Sequence, residues 1–260
     1  MIVRASVAAG LLFGASVASA ADLPARTYTQ MPPMVAAAYD WSGFYLGANG
    51  GVGGERNCWT VTNVAFGVPL IPNAAAGCNY GNNVVAGGQA GYRWQSDAVV
   101  FGIEAQGDWA NLKGSNISQA NALFTDQSKV NGLGLFTGQI GYAWSNALFY
   151  VKGGGAVTAN TYNRMGVATG VVFDQASATR WGGVAGVGAE FAFARNWSVG
   201  VEYDHLFMGS ASNTLISTGL GVNNLVPASG VGRVMNIGQD VDMVTARISY
   251  RFGGPIVPRY

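Results

Sequence analysis

The sequence is poor in charge, cysteine and histidine, and after residue 20 it has no long apolar run. Charged residues make up 10% of the chain, against about 25% in typical soluble chains. A soluble domain with so little charge would struggle to cover its surface, whereas a surface that faces hydrocarbon needs none. The balance of 14 basic and 13 acidic residues gives no indication of nucleic-acid binding.

The N-terminal residues 1–20 predict a secretory signal peptide. Arg4 precedes an apolar stretch from Val7 to Val17, and the small residues "ASA" at 18–20 are typical of a cleavage site. This stretch is shorter than the roughly 20 residues that a spanning helix needs. We therefore expect an exported protein, with residues 21–40 as an extended periplasmic lead-in.

From Trp41 onward, apolar and polar residues alternate with a period of two, which predicts β-strands. The predicted strands are Gly43–Val52, Val84–Gln95, Ala98–Asn111, Val130–Trp144, Ala147–Ala159, Arg180–Ala194, Trp197–Met208 and Val241–Phe252. Three connections are tight turns, and four are long and polar. The predicted long loops are Gly53–Asn83, Leu112–Lys129, Asn160–Thr179 and Gly209–Gln239. Short turns at one end and long loops at the other are typical of outer-membrane barrels, whose turns are periplasmic.

Large aromatic residues cluster near the predicted tight turns, all on the apolar faces of their strands. These residues are Tyr92, Trp94, Tyr142, Trp144, Phe193, Trp197, Tyr250 and Phe252. Such a cluster predicts a girdle at the membrane interface. A soluble sandwich would bury these rings, and it explains neither their position nor the alternating loop lengths. We therefore predict an all-β fold, a transmembrane eight-stranded antiparallel up-and-down β-barrel over residues 41–252.

The opposite faces of the strands carry nearly balanced charges, which the barrel would turn toward its lumen. The predicted lumen charge network comprises Arg93, Glu104, Asp108, Lys152, Glu190, Glu202, Asp204, Arg247 and Arg251. Inward glycines at Gly102, Gly186, Gly188 and Gly200 would make room for these long side chains. An eight-stranded barrel is just wide enough for side chains to fill it. Two interpretations remain open: a structural plug of ion pairs, or a gate whose pairs rearrange to pass ions or small solutes.

The two cysteines, Cys58 and Cys78, fall in one predicted loop. In an oxidising compartment an even pair predicts a disulfide, with two inert free thiols as the alternative.

The sequence predicts neither an enzyme nor a cofactor or metal site. Its one histidine, His205, follows Asp204, and neighbours in a strand point to opposite faces, so Asp204 cannot easily orient His205. Glycine spacings such as "GVAGVGAE" imitate nucleotide-binding motifs but precede no helix.

The opening "YDWSGFYLGANGGVG" (Tyr39 to Gly53) resembles the first strand of small alphaproteobacterial outer-membrane β-barrel proteins, the porin family with an OmpA-like eight-stranded barrel. The segments "ADLPARTY", "GGQAGYRWQ" and "RISYRF" are also similar to that family. One departure is the tail "GGPIVPRY" at 253–260, because family members usually end at the final aromatic residue of the last strand. Pro255 and Pro258 cannot donate to a strand ladder, so we expect no strand in the tail.

The resemblance implies a structural protein of the outer membrane with at most a small or gated pore. The alternative is a surface protein whose loops bind a ligand, as an adhesin or a haem binder. We expect a monomer whose partners are outer-membrane lipids and lipopolysaccharide, with the barrel-assembly machinery acting during insertion.

Overall fold

A computed structural model describes residues 39–64, 68–220, 228 and 230–252. The predicted signal peptide, most of the lead-in and the tail at 253–260 lie outside the described residues. The structure has eight β-strands: β1 (Gly43–Asn63), β2 (Pro69–Ser96), β3 (Val99–Ile117), β4 (Phe124–Trp144), β5 (Ala147–Gly166), β6 (Val172–Ala194), β7 (Trp197–Ser217) and β8 (Val231–Phe252).

The strands form a closed barrel in which each strand pairs antiparallel with its neighbours in the chain, and β1 pairs with β8. The strands are tilted relative to the barrel axis. Stepping from partner to partner once round the ring leads from Phe44 on β1 back to Gly54 on the same strand. This offset is the stagger that a closed sheet requires, and it leaves the barrel with no free edge.

The three tight turns lie where the sequence predicts them, between β2 and β3, β4 and β5, and β6 and β7. Asp97 and Ser145 adopt positive φ values of 53° and 55° in the first two turns. This left-handed conformation suits the twist of a two-residue hairpin, and short polar residues tolerate it better than most. The turns therefore mark one end of the barrel, which we assign to the periplasm.

The strands are much longer than the alternation predicted. Each has between 19 and 28 residues, whereas a tilted strand crosses a membrane with about 9–11. The prediction of four long loops is therefore wrong over most of their length, because the strands continue pairing through these segments. Their polar residues satisfy the ladder as well as apolar ones do, since the hydrogen bonds come from the backbone.

The structure places the predicted girdle aromatics at the turn end of the barrel. Seven of the eight side chains are exposed and Tyr250 is half-buried. The rings contact one another: Tyr92 and Trp94 have centroids 4.8 Å apart, and Trp197 and Tyr250 lie 5.0 Å apart. About ten residues further up the strands, Trp109, Trp181 and Phe207 are also exposed. These two aromatic levels bound the band that faces hydrocarbon.

Above the second aromatic level, the strands project away from the membrane. This extracellular extension comprises Glu55–Asn63, Pro69–Asn82, Leu112–Ile117, Phe124–Val130, Asn160–Gly166, Val172–Thr179, Gly209–Ser217 and Val231–Gln239. In the part of the chain that the structure describes, no helix is long and apolar enough to cross a membrane.

The predicted disulfide between Cys58 and Cys78 is present. The two cysteines do not share a loop, however. They lie directly opposite each other on β1 and β2, within the extracellular extension. A bridge that closes a separation of 20 residues stabilises the folded state by about 3 kcal/mol in the chain-entropy model.

Candidate functional site

The lumen next to the turn end contains a dense network of ion pairs centred on Arg247. Its guanidinium contacts the carboxylates of Glu104 and Glu202, and its Nε lies 3.6 Å from Glu190. Every one of these side chains is inward because it occupies the polar phase of its strand's alternation. One cation therefore links β8 to three other strands.

Arg93 makes the most complete pair in this network. Its Nη1 and Nη2 donate to the two oxygens of Glu190 at 2.9 and 2.6 Å. Ser198 donates a further hydrogen bond to Glu190 at 3.1 Å, and Arg93 lies over the ring of Tyr45 at 4.4 Å. A two-point pair of this kind fixes both side chains in one orientation.

Lys152 shares two carboxylates with Arg247 and adds Asp204 to the network. Its Nζ lies 2.7 Å from Glu202, 3.2 Å from Asp204 and 3.6 Å from Glu104, and it donates to Gln106 at 3.3 Å. A single ammonium among three carboxylates reduces the repulsion between them, which supports a closely packed interior.

Two residues of the predicted network lie apart from it. Asp108 is buried but accepts its hydrogen bond from the Gln106 amide at 2.8 Å, with no ion pair to a described residue. Arg251 lies at the periplasmic end, where it donates to the carbonyl oxygens of Ser42 at 2.9 Å and Arg195 at 3.3 Å. The structure therefore brings seven of the nine predicted residues together.

Sequence reasoning missed two tyrosines that complete the network. Tyr45 donates to Glu104 at 2.6 Å, and Tyr150 donates to Glu202 at 2.5 Å. The alternation contained the signal, because Tyr150 is in phase with Lys152 rather than with its apolar neighbours. The predicted network was restricted to charged residues and therefore left both tyrosines out.

Glycines opposite these long side chains supply the space that they occupy. A Cβ at Gly186 would overlap the Asp204 carboxylate, and one at Gly188 would overlap the ring of Tyr150. These are two of the inward glycines that the sequence assigned to this purpose.

Above the charge network, the lumen is filled by an apolar layer that the sequence analysis did not predict. The layer comprises Val85, Ala110, Leu112, Val130, Leu133, Leu135, Ala156, Val184, Leu206, Met208, Val241 and Met243. No member is more than 6% exposed. Because these residues come from seven of the eight strands, the layer extends across the barrel interior.

Further layers close the extracellular extension. A polar layer lies around Ser128. Its hydroxyl accepts a hydrogen bond from the Asn57 amide and faces the acceptor oxygens of Glu55 and Asn79, each at 2.9 Å. A second apolar cluster lies above it, formed by Trp59, Val61, Ala76, Tyr162, Leu215, Met235 and Ile237. The described interior thus alternates between polar and apolar levels along the barrel axis.

An ion pair lies at the outer end of this extension, well beyond the hydrocarbon band. Arg164 donates to Asp126 at 3.0 Å, and both side chains are fully buried. Burial raises the pKa of Asp126 and lowers the pKa of Arg164 to about 10, in each case against the attraction of the opposite charge. Both shifts have the same meaning: removal from water disfavours the charged forms more than the pair favours them.

His205 faces away from the lumen. Its Nδ1 lies 2.7 Å from Asp242 of β8, to which Tyr203 also donates at 2.6 Å. Asp204 points inward to Lys152. The neighbouring pair Asp204 and His205 is therefore separated by the sheet, as strand geometry requires.

A closed ring of eight antiparallel strands, apolar outside and filled with paired charges inside, defines an outer-membrane β-barrel. Residues 5–223 match the family model described as "Outer membrane protein beta-barrel domain", and the chain belongs to that family. The prediction of fold and of location in the outer membrane is confirmed.

Two relatives and two solved structures describe the similarity further. The chain is 27% identical over 212 residues to the 31 kDa outer-membrane immunogenic proteins of Brucella melitensis biotype 1 and Brucella suis biovar 1, covering 80% of this chain and 87% of each relative. The outer membrane protease OmpT of Escherichia coli aligns over 81% of this chain and 97% of its own, with a TM-score of 0.46 and 11% identity. Neisserial surface protein A aligns over 81% and 98%, with a TM-score of 0.35 and 14% identity.

Proposed function

We propose that this protein is a structural barrel of the outer membrane whose lumen is closed to ions in its resting state. The observation that carries the proposal is the apolar layer above the charge network, which is almost fully buried. An ion would have to give up its hydration shell to pass such a layer, and unpaired charge in a dry interior costs several kcal/mol.

The charge network supports the same function. Arg247 and Lys152 are each held by several carboxylates, and Tyr45 and Tyr150 donate to two of those same carboxylates. To open a path, several ion pairs would have to break together while their partners stayed buried. We therefore propose that the network fastens the strands to one another across the lumen and does not select ions.

Single-channel conductance of the refolded protein in a planar bilayer tests this function. A heat-modifiable shift on a gel confirms beforehand that the barrel has formed. We expect no discrete conductance steps from the wild type. Steps that change in size when Arg247→Gln or Glu104→Gln is introduced would instead identify a gated pore with these charges as its filter.

A variant that opens the apolar layer should conduct ions if this layer is what closes the lumen. Leu112→Ala, Leu206→Ala and Met243→Ala together remove three large side chains from that layer, and we expect small conductance steps to appear. The matched control is Ile103→Ala with Phe136→Ala and Val151→Ala, which truncates three exposed lipid-facing side chains. The control is expected to remain silent.

A further inference from the structure

The outer surface of the barrel carries its positive charges on one side only. Within the described extracellular half, the basic side chains that face outward are Arg56 on β1, Lys113 on β3 and Lys129 on β4. Asp240 and Asp242 are outward on β8, and Asp240 is the register partner of Arg56, so negative charge borders the row at its β1 end, whereas Lys113 lies three strands away from β8. Two of the three lysines in the whole sequence belong to this basic row.

The two lysines occupy directly opposite positions on adjacent strands, since Lys113 is the register partner of Lys129. Neither ammonium has an ion pair or a hydrogen bond to a residue that the structure describes. Like charges directly opposite in a sheet are destabilising unless something neutralises them. An anion from outside the chain would do so.

The row continues onto the neighbouring strands. Tyr80, which is 68% exposed, is the register partner of Arg56, whose guanidinium lies 6.0 Å from its ring. A Cβ at Gly114 would lie 3.0 Å from the Tyr80 backbone, so Tyr80 is also adjacent to the β3 segment that carries Lys113. Four neighbouring strands with a spacing of about 4.8 Å give a row about 15 Å long.

The height of the row fits the headgroup level of the outer leaflet. Trp109, exposed in the upper aromatic level, precedes Lys113 by four residues on β3 and pairs with Gly132 of β4. The ammonium groups therefore lie just above the hydrocarbon boundary, where acidic headgroups are found.

Below the row, the outer surface is unusually shallow. On the membrane side of the two lysines, Gly107 of β3 pairs with Gly134 of β4. Exposed Trp109 and Phe136 flank this pair of glycines. A Cβ at Gly107 or at Gly138 would meet nothing within 4 Å, so no packing inside the chain requires glycine there. Glycine at these positions leaves room for a molecule outside the chain to approach this surface closely.

We propose that the β1–β4 face holds a phosphorylated glycolipid of the outer leaflet. Arg56, Lys113 and Lys129 bind its phosphate groups, Tyr80 packs against its sugar, and its acyl chains lie in the glycine-lined depression between Trp109 and Phe136. The site lies outside the barrel, so its test is independent of whether the lumen conducts.

Native mass spectrometry of the refolded protein in detergent, titrated with diphosphoryl lipid A, tests the site. We expect one lipid to bind with defined stoichiometry, and Lys113→Gln with Lys129→Gln to weaken binding about 30-fold, since each cation near a membrane surface contributes about one kcal/mol. Lys113→Arg with Lys129→Arg should retain binding. Gly107→Leu should weaken it by filling the depression, with the charges unchanged.

The controls separate this site from general attraction to anions. Arg195→Gln removes an exposed cation at the periplasmic turn, and it is expected to bind lipid A as the wild type does. Dioleoylphosphatidylglycerol and monophosphoryl lipid A should bind more weakly than the diphosphoryl form. Equal binding of all three lipids, or wild-type affinity in the Lys-to-Gln double variant with a normal gel shift, would overturn the proposal.

Discussion

At the scale of single residues, the lumen depends on the absence of side chains as much as on their presence. Gly188 lies against the ring of Tyr150, the same residue whose hydroxyl donates to Glu202 and accepts from Arg247 at 2.9 Å. A methyl group at this position would displace the ring. The displacement would disturb the ion pair between Glu202 of β7 and Arg247 of β8, which the Tyr150 hydroxyl contacts.

We therefore predict that Gly188→Ala destabilises the barrel by about 1–3 kcal/mol, the usual cost of overpacking a filled interior. Urea unfolding in detergent, followed by tryptophan fluorescence and by the gel shift, measures the change. The matched control is Gly155→Ala, which adds the same methyl group to an outward position with nothing within 4 Å. Its effect should stay within about 0.5 kcal/mol. Equal losses in both variants would show that strand propensity, not the Tyr150 contact, sets the cost.

At the scale of the strand, the extracellular extension is stabilised differently from the membrane-spanning part. It has no hydrocarbon around it, and its stability comes from interior layers, backbone pairing and the bridge between β1 and β2. The bridge and the buried ion pair lie on different strands, so each can be removed without touching the other.

Removing the disulfide should loosen the outer part of β1 and β2 while leaving the membrane part intact. For Cys58→Ser with Cys78→Ser, we expect the free energy of local opening to fall by about 3 kcal/mol, because the unfolded hairpin regains its freedom. Hydrogen exchange measured by mass spectrometry should show faster exchange around Arg56 and Tyr80. Peptides from Val99 to Trp109 should exchange as in the wild type. Unchanged protection around Arg56 would show that the interior layers alone hold the extension.

Removing one partner of the pair Arg164 and Asp126 should destabilise the extracellular extension more than replacing both partners by apolar residues. Asp126→Asn leaves the guanidinium buried without its counter-charge, and we expect a loss of about 3–5 kcal/mol in the stability of the extension. Asp126→Leu with Arg164→Met removes both charges, whose pKa shifts already show a net desolvation cost, and should recover most of that loss. Limited proteolysis of the extension, with the gel shift as a control for the membrane part, measures both. A double variant as labile as the single one would contradict this interpretation.

At the scale of the whole molecule, the sequence predicted what depends on alternation and missed what does not. Strand number, tight turns and lipid-facing faces follow from a period of two, and they agree with the structure. The strand ends were wrong, because segments such as "NYGNN" at 79–83 are polar on both faces and show no period. The apolar lumen layer was missed for the opposite reason: Leu133 and Leu135 face inward on a strand whose outward face is also apolar, with Gly134 and Phe136 beside them. Their apolar character gives no sign of which face is the lumen.

The site was predictable to a similar extent. A charged residue on a membrane-spanning strand is destabilising on the lipid-facing side, so Arg93, Lys152 and Glu190 could be assigned to the lumen. Which residues pair across the barrel depends on the stagger of the ring, and the strand sequences do not encode that offset directly. Arg93 and Glu190 are far apart in the chain and meet only after the ring has closed.

The strict alternation of faces also limits how a gene for this protein can change in length. Loss of one codon within Val99–Trp109 would exchange the two faces of β3 beyond that point, turning Glu104 or Asp108 toward acyl chains. Loss of two codons would keep the faces and shift only the pairing. Related genes should therefore differ by even numbers of codons inside the membrane-spanning strands. At the tips that join the strands outside the cell, odd and even differences should be equally common.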